Sequence, residues 1–353
     1  MSGTMAQTFL YQRLASAGIP LGDYNGAETA LEFTGAAAEL GAMLGGCALL
    51  DLGWRGKIIV TGNDRVRWMN GMVTNTVKDL PLNHGNYSFL LNAQGRILAD
   101  MYIYNRGEYL LIDTDRSQCE AVLKTLDHFI IMDDVELSDS SEALGALGLC
   151  GPQAEKTLAA AGIDVTGIEP LEIRDLVVES TGISVVRGPQ EKPGWYEIWA
   201  SGENLSALWE LFQKTGAQPA GVLAVEQWRI LQGIPRYGQD IRQKDLPQET
   251  EQAQALNFSK GCYIGQEIVE RIRSRGQVHR KFTGFEFQNG LPEPGKIEAE
   301  GRVVAEITSV AEVGGKKIGL GYVRRETGLP GSQINLNGKA ATVADLPFRI
   351  STN

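Results

Sequence analysis

The order of secondary-structure signals in the first two thirds of the chain occurs twice, and this repetition limits the possible folds more than any other feature. Each copy reads as a strand, a glycine-containing turn, a helix, a hairpin, a further strand and a second helix. The copies cover residues 57–129 and 145–214, and Gly62 and Gly151 hold matching places in a repeat of about 87 to 89 residues. A duplicated chain would fold as two similar α+β units that share a central sheet, with a ligand site between them.

The same order could also recur by chance, because successions of strands and helices are common in α+β proteins. From Lys281 onward the signals change to short alternating strands separated by glycine and proline turns, a pattern typical of a small barrel or sandwich. We therefore predict an α+β fold with a duplicated, intertwined module over 1–280, halves at roughly 47–140 and 141–280, and a small C-terminal β-barrel over 281–353.

Charge and cysteine content argue against several classes of function. A formal net charge of -10 disfavours a broad nucleic-acid surface. The four cysteines form no CxxC pair and the three histidines are dispersed, so we predict neither a disulfide framework nor a metal site. Residues 1–10 lack the basic and apolar parts of a secretory signal, and no apolar stretch approaches the roughly 18 residues that span a bilayer. We expect a cytoplasmic monomer that does not enter the membrane.

Residues 260–267 read Lys-Gly-Cys-Tyr-Ile-Gly-Gln-Glu and form the most distinctive short segment of the chain. Cationic side chains exceed acidic ones over 260–281, although the chain as a whole is acidic. Cationic neighbours favour thiolate over thiol, so Cys262, with Lys260 close in sequence, is a candidate functional thiol. The alternative is a buried packing residue, because unpaired cysteine is among the most buried residue types. The glycines on either side of Cys262-Tyr263-Ile264 predict a tight loop with a close backbone approach.

Three further segments precede this one in a fixed order, at 87–100, 195–198 and 228–240. Together with residues 260–267 they resemble the folate-binding family that includes the glycine-cleavage T-protein, an aminomethyltransferase. The Lys-Gly-Cys-Tyr-x-Gly-Gln-Glu motif is similar to that of the YgfZ branch, whose members assist iron–sulfur proteins. The resemblance implies that the chain binds reduced folate, as tetrahydrofolate or a one-carbon derivative of it.

The resemblance also implies roles for single residues. Glu197 matches the acidic residue of the family's Gly-Tyr-Glu-Ile segment, which binds the pterin, and one carboxylate can accept two parallel hydrogen bonds from such a ring. Arg229 matches the arginine that precedes the family's Gly-(Met/Ile)-Pro segment, and a guanidinium suits the carboxylate end of the ligand. Tyr87, Asp100 and Tyr237 complete the expected folate site. Taken singly, Glu197 and Arg229 could instead be surface charges.

One departure from the family pattern separates two functions. Aminomethyltransferases carry two consecutive aspartates, the first of them catalytic, where this chain has Ala99 followed by Asp100. An alanine cannot polarise a folate nitrogen, and neighbours on a strand face opposite sides. We therefore predict an accessory protein for the assembly or repair of iron–sulfur client enzymes, including tRNA-modifying ones, with Lys260 and Cys262 in its functional loop. The alternative is a folate-dependent aminomethyltransferase or other one-carbon transferase. Direct RNA binding through 271–281 is disfavoured.

Overall fold

A computed structural model describes residues 5–190, 194–276, 278–288, 290–299, 302–326, 328–336 and 339–349. The strands in these ranges are β1 Ala6–Gln7, β2 Leu21–Tyr24, β3 Ala27–Ala30, β4 Ala48–Asp51, β5 Arg55–Thr61, β6 Gly85–Leu91, β7 Ile97–Asn105, β8 Leu110–Asp115, β9 Glu136–Asp139, β10 Leu144–Cys150, β11 Ile173–Val178, β12 Thr181–Arg187, β13 Trp195–Ser201, β14 Gln218–Pro219, β15 Arg280–Phe287, β16 Gly295–Ala299, β17 Arg302–Val313, β18 Lys316–Arg324, β19 Gln333–Leu336 and β20 Lys339–Ala344. The α-helices are α1 Tyr11–Ser16, α2 Ala36–Gly45, α3 Arg65–Met72, α4 Arg116–Asp127, α5 Ala154–Ala160, α6 Leu205–Lys214, α7 Val222–Gln232 and α8 Gln266–Arg275. Among the described residues, none of these helices is long and apolar enough to cross a membrane.

The chain divides into two compact units. Unit 1 comprises Met1–Ser88 and Met101–Val225, and unit 2 comprises Phe89–Asp100 and Glu226–Asn353. The turn between β6 and β7, together with the strand ends that flank it, therefore belongs to unit 2 rather than to unit 1.

Two larger sheets follow the repetition that the sequence predicts. Their strand orders are β6-β7-β8-β5-β9 and β11-β12-β13-β10-β4-β14. In each sheet the first strand of the copy, β5 or β10, pairs antiparallel with the fourth, β8 or β13. Strand β4 precedes the first copy along the chain but pairs with β10 in the second sheet. The mixed α and β architecture is as expected, and the duplication itself stays a prediction.

The apolar core of unit 1 decides which side chains of β13 remain available for a site. Tyr196 and Ile198 are fully buried and belong to the same cluster as Phe212 of α6. Burial of apolar surface contributes about 25 cal/mol per Å² and fixes the phase of the strand. Because successive side chains of a strand alternate between its two faces, Glu197 lies on the face opposite to this core.

Unit 2 contains an antiparallel sheet with the strand order β16-β17-β18-β15-β20-β19. Phe285, Ile307, Val323 and Val343 form its buried core. The predicted C-terminal β module is therefore present, whereas its closure into a barrel stays a prediction.

Ion pairs join residues 226–280 to the C-terminal sheet, and the longer segment of unit 2 begins at Glu226. The boundary at residue 280 stays a prediction. The guanidinium of Arg280 lies 2.6 Å from Asp245, 3.0 Å from Glu249 and 3.2 Å from Glu306. Asp245 is fully buried and Glu306 is 9% exposed. A boundary after residue 280 would separate the carboxylate of Glu306 from the guanidinium of Arg280, and leaving a buried carboxylate without its cation is costly.

Candidate functional site

In unit 1, the carboxylate of Glu197 is held between two indoles of its own strand. Trp199 donates a hydrogen bond of 2.8 Å from Nε1 to Oε2, and Trp195 donates one of 3.3 Å from Nε1 to Oε1. Residues two apart on a strand share a face, which is why both indoles reach the same carboxylate. Glu197 is partly exposed, whereas both tryptophans are buried. The arrangement fixes the plane of an accessible carboxylate.

A buried charged cluster lies behind this carboxylate. The Nζ of Lys57 lies 4.5 Å from the ring centroid of Trp199 and 2.6 Å from Oδ1 of Asp113. Arg55 binds the same aspartate, with 2.8 Å between Nη2 and Oδ2. Burial alone would raise the pKa of Asp113, but the charges of Arg55 and Lys57 outweigh it and lower that pKa below its usual value. This cluster is not among the residues predicted from the sequence. The Trp-x-Glu-x-Trp spacing at 195–199 was the available signal, because it puts three polar-tipped side chains on one face.

Tyr87, the other expected ligand contact in unit 1, belongs to an aromatic pair. Its ring centroid lies 5.1 Å from that of Tyr102, with an angle of 42° between the rings. Both side chains are partly exposed. Paired and accessible aromatic rings of this kind can pack against a flat heterocycle.

In unit 2, strand β7 decides which of Ala99 and Asp100 can meet a ligand. Ile97 and Ala99 are 0% and 1% exposed, whereas Leu98 and Asp100, on the alternate face, are partly exposed. A carboxylate at position 99 would therefore point into the apolar core, and the accessible acid of this strand is Asp100. The burial of Ala99 therefore weakens the prediction that an alanine at this position prevents the transfer reaction.

Tyr237 lies close to this acid. Its hydroxyl donates a hydrogen bond to the carbonyl oxygen of Leu98. Burial raises the pKa of Tyr237 to about 12, and the negative charge of Asp100 is the second cause of this rise. Asp100 and Tyr237 therefore lie near each other, on the partly exposed face of β7, and their part in a folate site stays a prediction.

Arg229 is 4% exposed, and the protein itself uses every N–H group of its guanidinium. Nε and Nη2 bind Glu226 at 2.7 and 2.6 Å, and Nη2 also binds Ser309 at 2.9 Å. Nη1 binds Asp240 at 2.7 Å and the carbonyl oxygen of Ile234 at 3.3 Å. A ligand carboxylate would have to displace one of these acceptors, so the expected ligand role of Arg229 stays a prediction that this geometry does not favour.

The loop at 260–267 packs against the turn that precedes β7. Gly265, at φ +81°, immediately precedes α8, and a Cβ added there would lie 2.5 Å from the carbonyl oxygen of Asn92. Gly95 of the same turn approaches the side chain of Ile268 in α8, at 2.8 Å from an added Cβ. Around Gly261, by contrast, an added Cβ would meet no atom of the described chain within 4 Å. Among the described residues, the predicted close approach is therefore present at Gly265 but not at Gly261.

Lys260 and Cys262 occupy different environments within this loop. Lys260 is 7% exposed, with Nζ 5.0 Å from the ring centroid of Tyr263, and burial lowers the pKa of its amine to about 7. Cys262 is exposed, as expected for a functional thiol, whereas the other three cysteines are buried. The cationic excess near Cys262 is smaller than the sequence suggests, because Arg280 and Arg273 are each paired with acidic side chains.

The structure thus describes the expected site residues in two groups. Unit 1 holds Tyr87 and Glu197, and unit 2 holds Asp100, Arg229, Tyr237, Lys260 and Cys262. That all of them serve one folate site stays a prediction.

Curated relatives match this chain over nearly its whole length. A protein named aminomethyltransferase from Rubrobacter xylanophilus is 28% identical over 332 residues, which are 92% of this chain and 89% of that protein. Another from Geobacillus kaustophilus is 27% identical over 362 residues and covers 98% of both chains. The crystal structure of glycine cleavage system aminomethyltransferase T from Bartonella henselae matches with a TM-score of 0.87 at 20% identity, over 98% of each chain. This structural match shows the same fold.

These relatives correct the main functional prediction. They are named aminomethyltransferase, so an accessory role in iron–sulfur assembly and tRNA modification is wrong, and the alternative of a folate-dependent aminomethyltransferase agrees better with them. The YgfZ branch is not confirmed by any of them. Aminomethyltransferases use tetrahydrofolate as their one-carbon carrier, which is the cofactor expected from the sequence.

A family match identifies the larger part of the chain. Residues 10–260 match the family described as the GCVT N-terminal domain. This segment is more than half of the chain and contains Tyr87, Asp100, Glu197 and Arg229. The chain therefore belongs to the GCVT N-terminal domain family.

Proposed function

We propose that this chain is a folate-dependent one-carbon transferase that acts on an aminomethyl group. The observation that carries the proposal is the carboxylate of Glu197, accessible to a ligand and held in one plane by the indoles of Trp195 and Trp199. The relatives named aminomethyltransferase supply the reaction class.

The chemistry of the donor set fits a reduced folate. A carboxylate oxygen offers two lone pairs, so each oxygen of Glu197 can accept one further hydrogen bond beside the one from an indole. Two such acceptors in a fixed plane match the adjacent N–H and amino donors of a pterin edge. Tyr87 and Tyr102 offer ring faces in the same unit. When bound, tetrahydrofolate supplies the nitrogen that accepts the one-carbon group.

Asp100 is the residue that we propose for proton transfer in this reaction. It is the accessible acid of β7, while Ala99 beside it is buried in the apolar core. The protonated acid can donate a proton to the leaving amine, and the carboxylate can accept one from the attacking amine. Such general acid–base catalysis contributes roughly 10²- to 10⁴-fold in rate. We assign Tyr237, whose hydroxyl is bonded to the backbone of Leu98, to the positioning of this strand.

The remaining expected residues keep secondary roles in the proposal. Lys260 and Cys262 belong to the loop that packs against the turn before β7, and we propose that this loop contributes to the site as a whole. The Lys-Gly-Cys-Tyr-x-Gly-Gln-Glu motif, which is similar to that of the YgfZ branch, supports membership of that branch within the family. We also propose that the module over 1–280 arose by duplication, which the matching orders β6-β7-β8-β5 and β11-β12-β13-β10 within its two large sheets support.

Calorimetry with tetrahydrofolate tests the binding step. We expect wild type to bind, and Glu197→Ala to bind about ten- to a hundred-fold more weakly, because it loses a charged partner of two hydrogen bonds. Glu203→Ala, which removes an exposed carboxylate just after β13, is the matched control. Equal affinity of wild type and Glu197→Ala would remove Glu197 from the site. Ammonia release from an aminomethyl donor tests turnover, and binding without any release would leave a folate-binding protein that is not this transferase.

A further inference from the structure

A continuous series of contacts links the core of unit 1 to the carboxylate of Glu197. The Oδ1 of Asp113 lies 2.6 Å from Nζ of Lys57, and this Nζ lies 4.5 Å from the ring centroid of Trp199. The indole Nε1 of Trp199 then donates the 2.8 Å hydrogen bond to Oε2 of Glu197. The series therefore ends at the atom that the proposed function assigns to ligand binding.

Lys57 is the unusual member of this series. Its side chain is 0% exposed, and removing an ammonium from water is costly unless it is compensated. Lys57 and Asp113 are direct neighbours across β5 and β8, and this pairing supplies one compensating partner. The face of Trp199 supplies a second. Arg55, which also binds Asp113, already gives this aspartate a cationic partner. The charge of Asp113 is therefore compensated by Arg55, and this compensation does not by itself require a lysine at position 57.

The contact with Lys57 acts on the indole in two ways. A cation over an aromatic face is attracted to the ring, and this attraction holds the ring in place. The same charge polarises the ring and strengthens its N–H as a donor, since hydrogen bonds in a series reinforce each other in a low-dielectric interior. Tyr104 meets Trp199 edge-on, with 5.3 Å between ring centroids and an angle of 89°, and so restricts the ring from another side.

We propose that Lys57 and Trp199 are positioning residues for ligand recognition, and that they hold the carboxylate of Glu197 in the plane in which it meets a donor–donor edge of the ligand. This inference rests on the proposed function and adds the residues that set its specificity. The chemical class that such a fixed carboxylate selects is a planar heterocycle with an N–H and an amino group side by side, as in a pterin. A ligand without the amino group loses one of the two bonds, and the fixed geometry then gives it no compensation.

A measurement without ligand tests the structural half of the inference. The chain has six tryptophans, so a proton–nitrogen NMR spectrum resolves their indole N–H groups, and Trp199→Phe identifies the signal of Trp199. We expect this signal to shift upfield and exchange faster in Lys57→Met and in Glu197→Gln. The signal of Trp209, which stacks on Phe33 in the apolar core, should not move in either variant. An unchanged Trp199 signal in Lys57→Met would overturn the role of Lys57.

Binding measurements test the functional half. Trp199→Phe keeps the ring but removes the N–H, so we expect tetrahydrofolate to bind about five- to ten-fold more weakly. In turnover the KM for folate should rise by the same factor while kcat stays unchanged, because a uniform binding contribution is lost. In a Glu197→Ala background the same substitution should have no further effect, and with a 2-desamino folate the loss should shrink. Trp209→Phe is the matched control for the loss of an indole.

The outcomes separate the two proposals. If wild type does not bind tetrahydrofolate, the proposed function fails, while the NMR experiment still decides whether Lys57 acts on Glu197 through Trp199. If Glu197→Ala weakens binding but Trp199→Phe binds like wild type, the proposed function stands and the positioning role is overturned. If Trp199→Phe still weakens tetrahydrofolate binding in the Glu197→Ala background, the positioning role is likewise overturned. Trp199 would then affect binding without acting through Glu197.

Discussion

Gly265 lies so close to Asn92 that a single methyl group at Gly265 would come within 2.5 Å of the Asn92 carbonyl oxygen. The φ of Gly265 is +81°, a conformation that other residues adopt only at a cost. The contact joins the Lys-Gly-Cys-Tyr-Ile-Gly-Gln-Glu loop to the turn that leads into β7 and Asp100. The second glycine of this motif is therefore explained by packing rather than by chemistry at the thiol.

Gly265→Ala should destabilise the protein by about 1–3 kcal/mol, because alanine meets both the left-handed φ and the carbonyl oxygen. Urea unfolding followed by circular dichroism measures this change as a lower midpoint. Gly261→Ala is the matched control in the same loop, since an added Cβ there meets no atom of the described residues within 4 Å. If both substitutions cost equally little, the close approach at Gly265 does not contribute to stability.

The sequence predicts the local elements well, because they follow from hydrophobic period and turn residues. Helix α3 at Arg65–Met72 and the hairpin strand β7 at Ile97–Asn105 occupy the places that the predicted order of elements over 57–129 gives them. The phase of β7, by contrast, does not follow from these signals. Alternation tells which residues share a face, but only tertiary packing shows that the face of Ala99 is the buried one.

Pairings distant in sequence were beyond the sequence analysis. The approach of Lys57 to Trp199 joins residues 142 positions apart from two different sheets, and no local pattern specifies it. The ion pairs of Arg280 with Asp245 and Glu306 likewise depend on tertiary structure. By contrast, the order of the site segments along the chain is a property of the sequence, and it correctly indicated the family.

Asp100→Asn should lower the rate of one-carbon transfer by roughly 10²- to 10⁴-fold, because the variant keeps the shape of the side chain but cannot exchange a proton. Folate affinity should change much less. Ala99→Ser, a small change on the buried face of the same strand, is the control and should leave the rate within a few-fold of wild type. Single-turnover kinetics separate the two effects. An unimpaired Asp100→Asn enzyme would show that the accessible acid of β7 has no part in the chemistry.

Arg229→Met should destabilise unit 2 by about 3–5 kcal/mol, because it leaves Asp240, which is fully buried, without its cation. Arg273→Met removes an ion pair whose side chains are 52% and 36% exposed, and should cost less than about 1 kcal/mol. The denaturant midpoints of Arg229→Met and Arg273→Met measure the two losses of stability. A normally stable Arg229→Met protein that has lost folate affinity would contradict this view and return Arg229 to the ligand.

Cys262 should be the first cysteine that an alkylating reagent modifies near neutral pH. It is the exposed thiol, whereas burial raises the pKa of Cys47 and of Cys119 to about 11 and leaves Cys150 inaccessible. Mass spectrometry of peptides after brief treatment with iodoacetamide measures the order of modification, and Cys262→Ser should lose the fast phase. Comparable early labelling of Cys47 or Cys119 would show that their burial is not maintained in solution.

Because of Lys260, the free energy of unfolding should change with pH between about 7 and 10.5. Burial lowers the pKa of its amine from the usual 10.5 to about 7 in the folded protein. Between these values the unfolded chain binds more protons than the folded one, so stability rises with pH across the window from about 7 to 10.5. Below pH 7 the amine is charged in both states, and the full cost of burying the charge remains. The slope contributed by one proton is at most about 1.4 kcal/mol per pH unit.

Urea unfolding of wild type and Lys260→Met at a series of pH values isolates this contribution. The variant should be more stable than wild type near pH 7, and its advantage should shrink as the pH approaches 10. Lys296→Met, at an exposed position of β16, should instead follow wild type throughout. Parallel pH profiles for wild type and Lys260→Met would mean that the ammonium is fully compensated in the folded state. The contact between Nζ of Lys260 and the ring of Tyr263, at 5.0 Å, would then be the first candidate for that compensation.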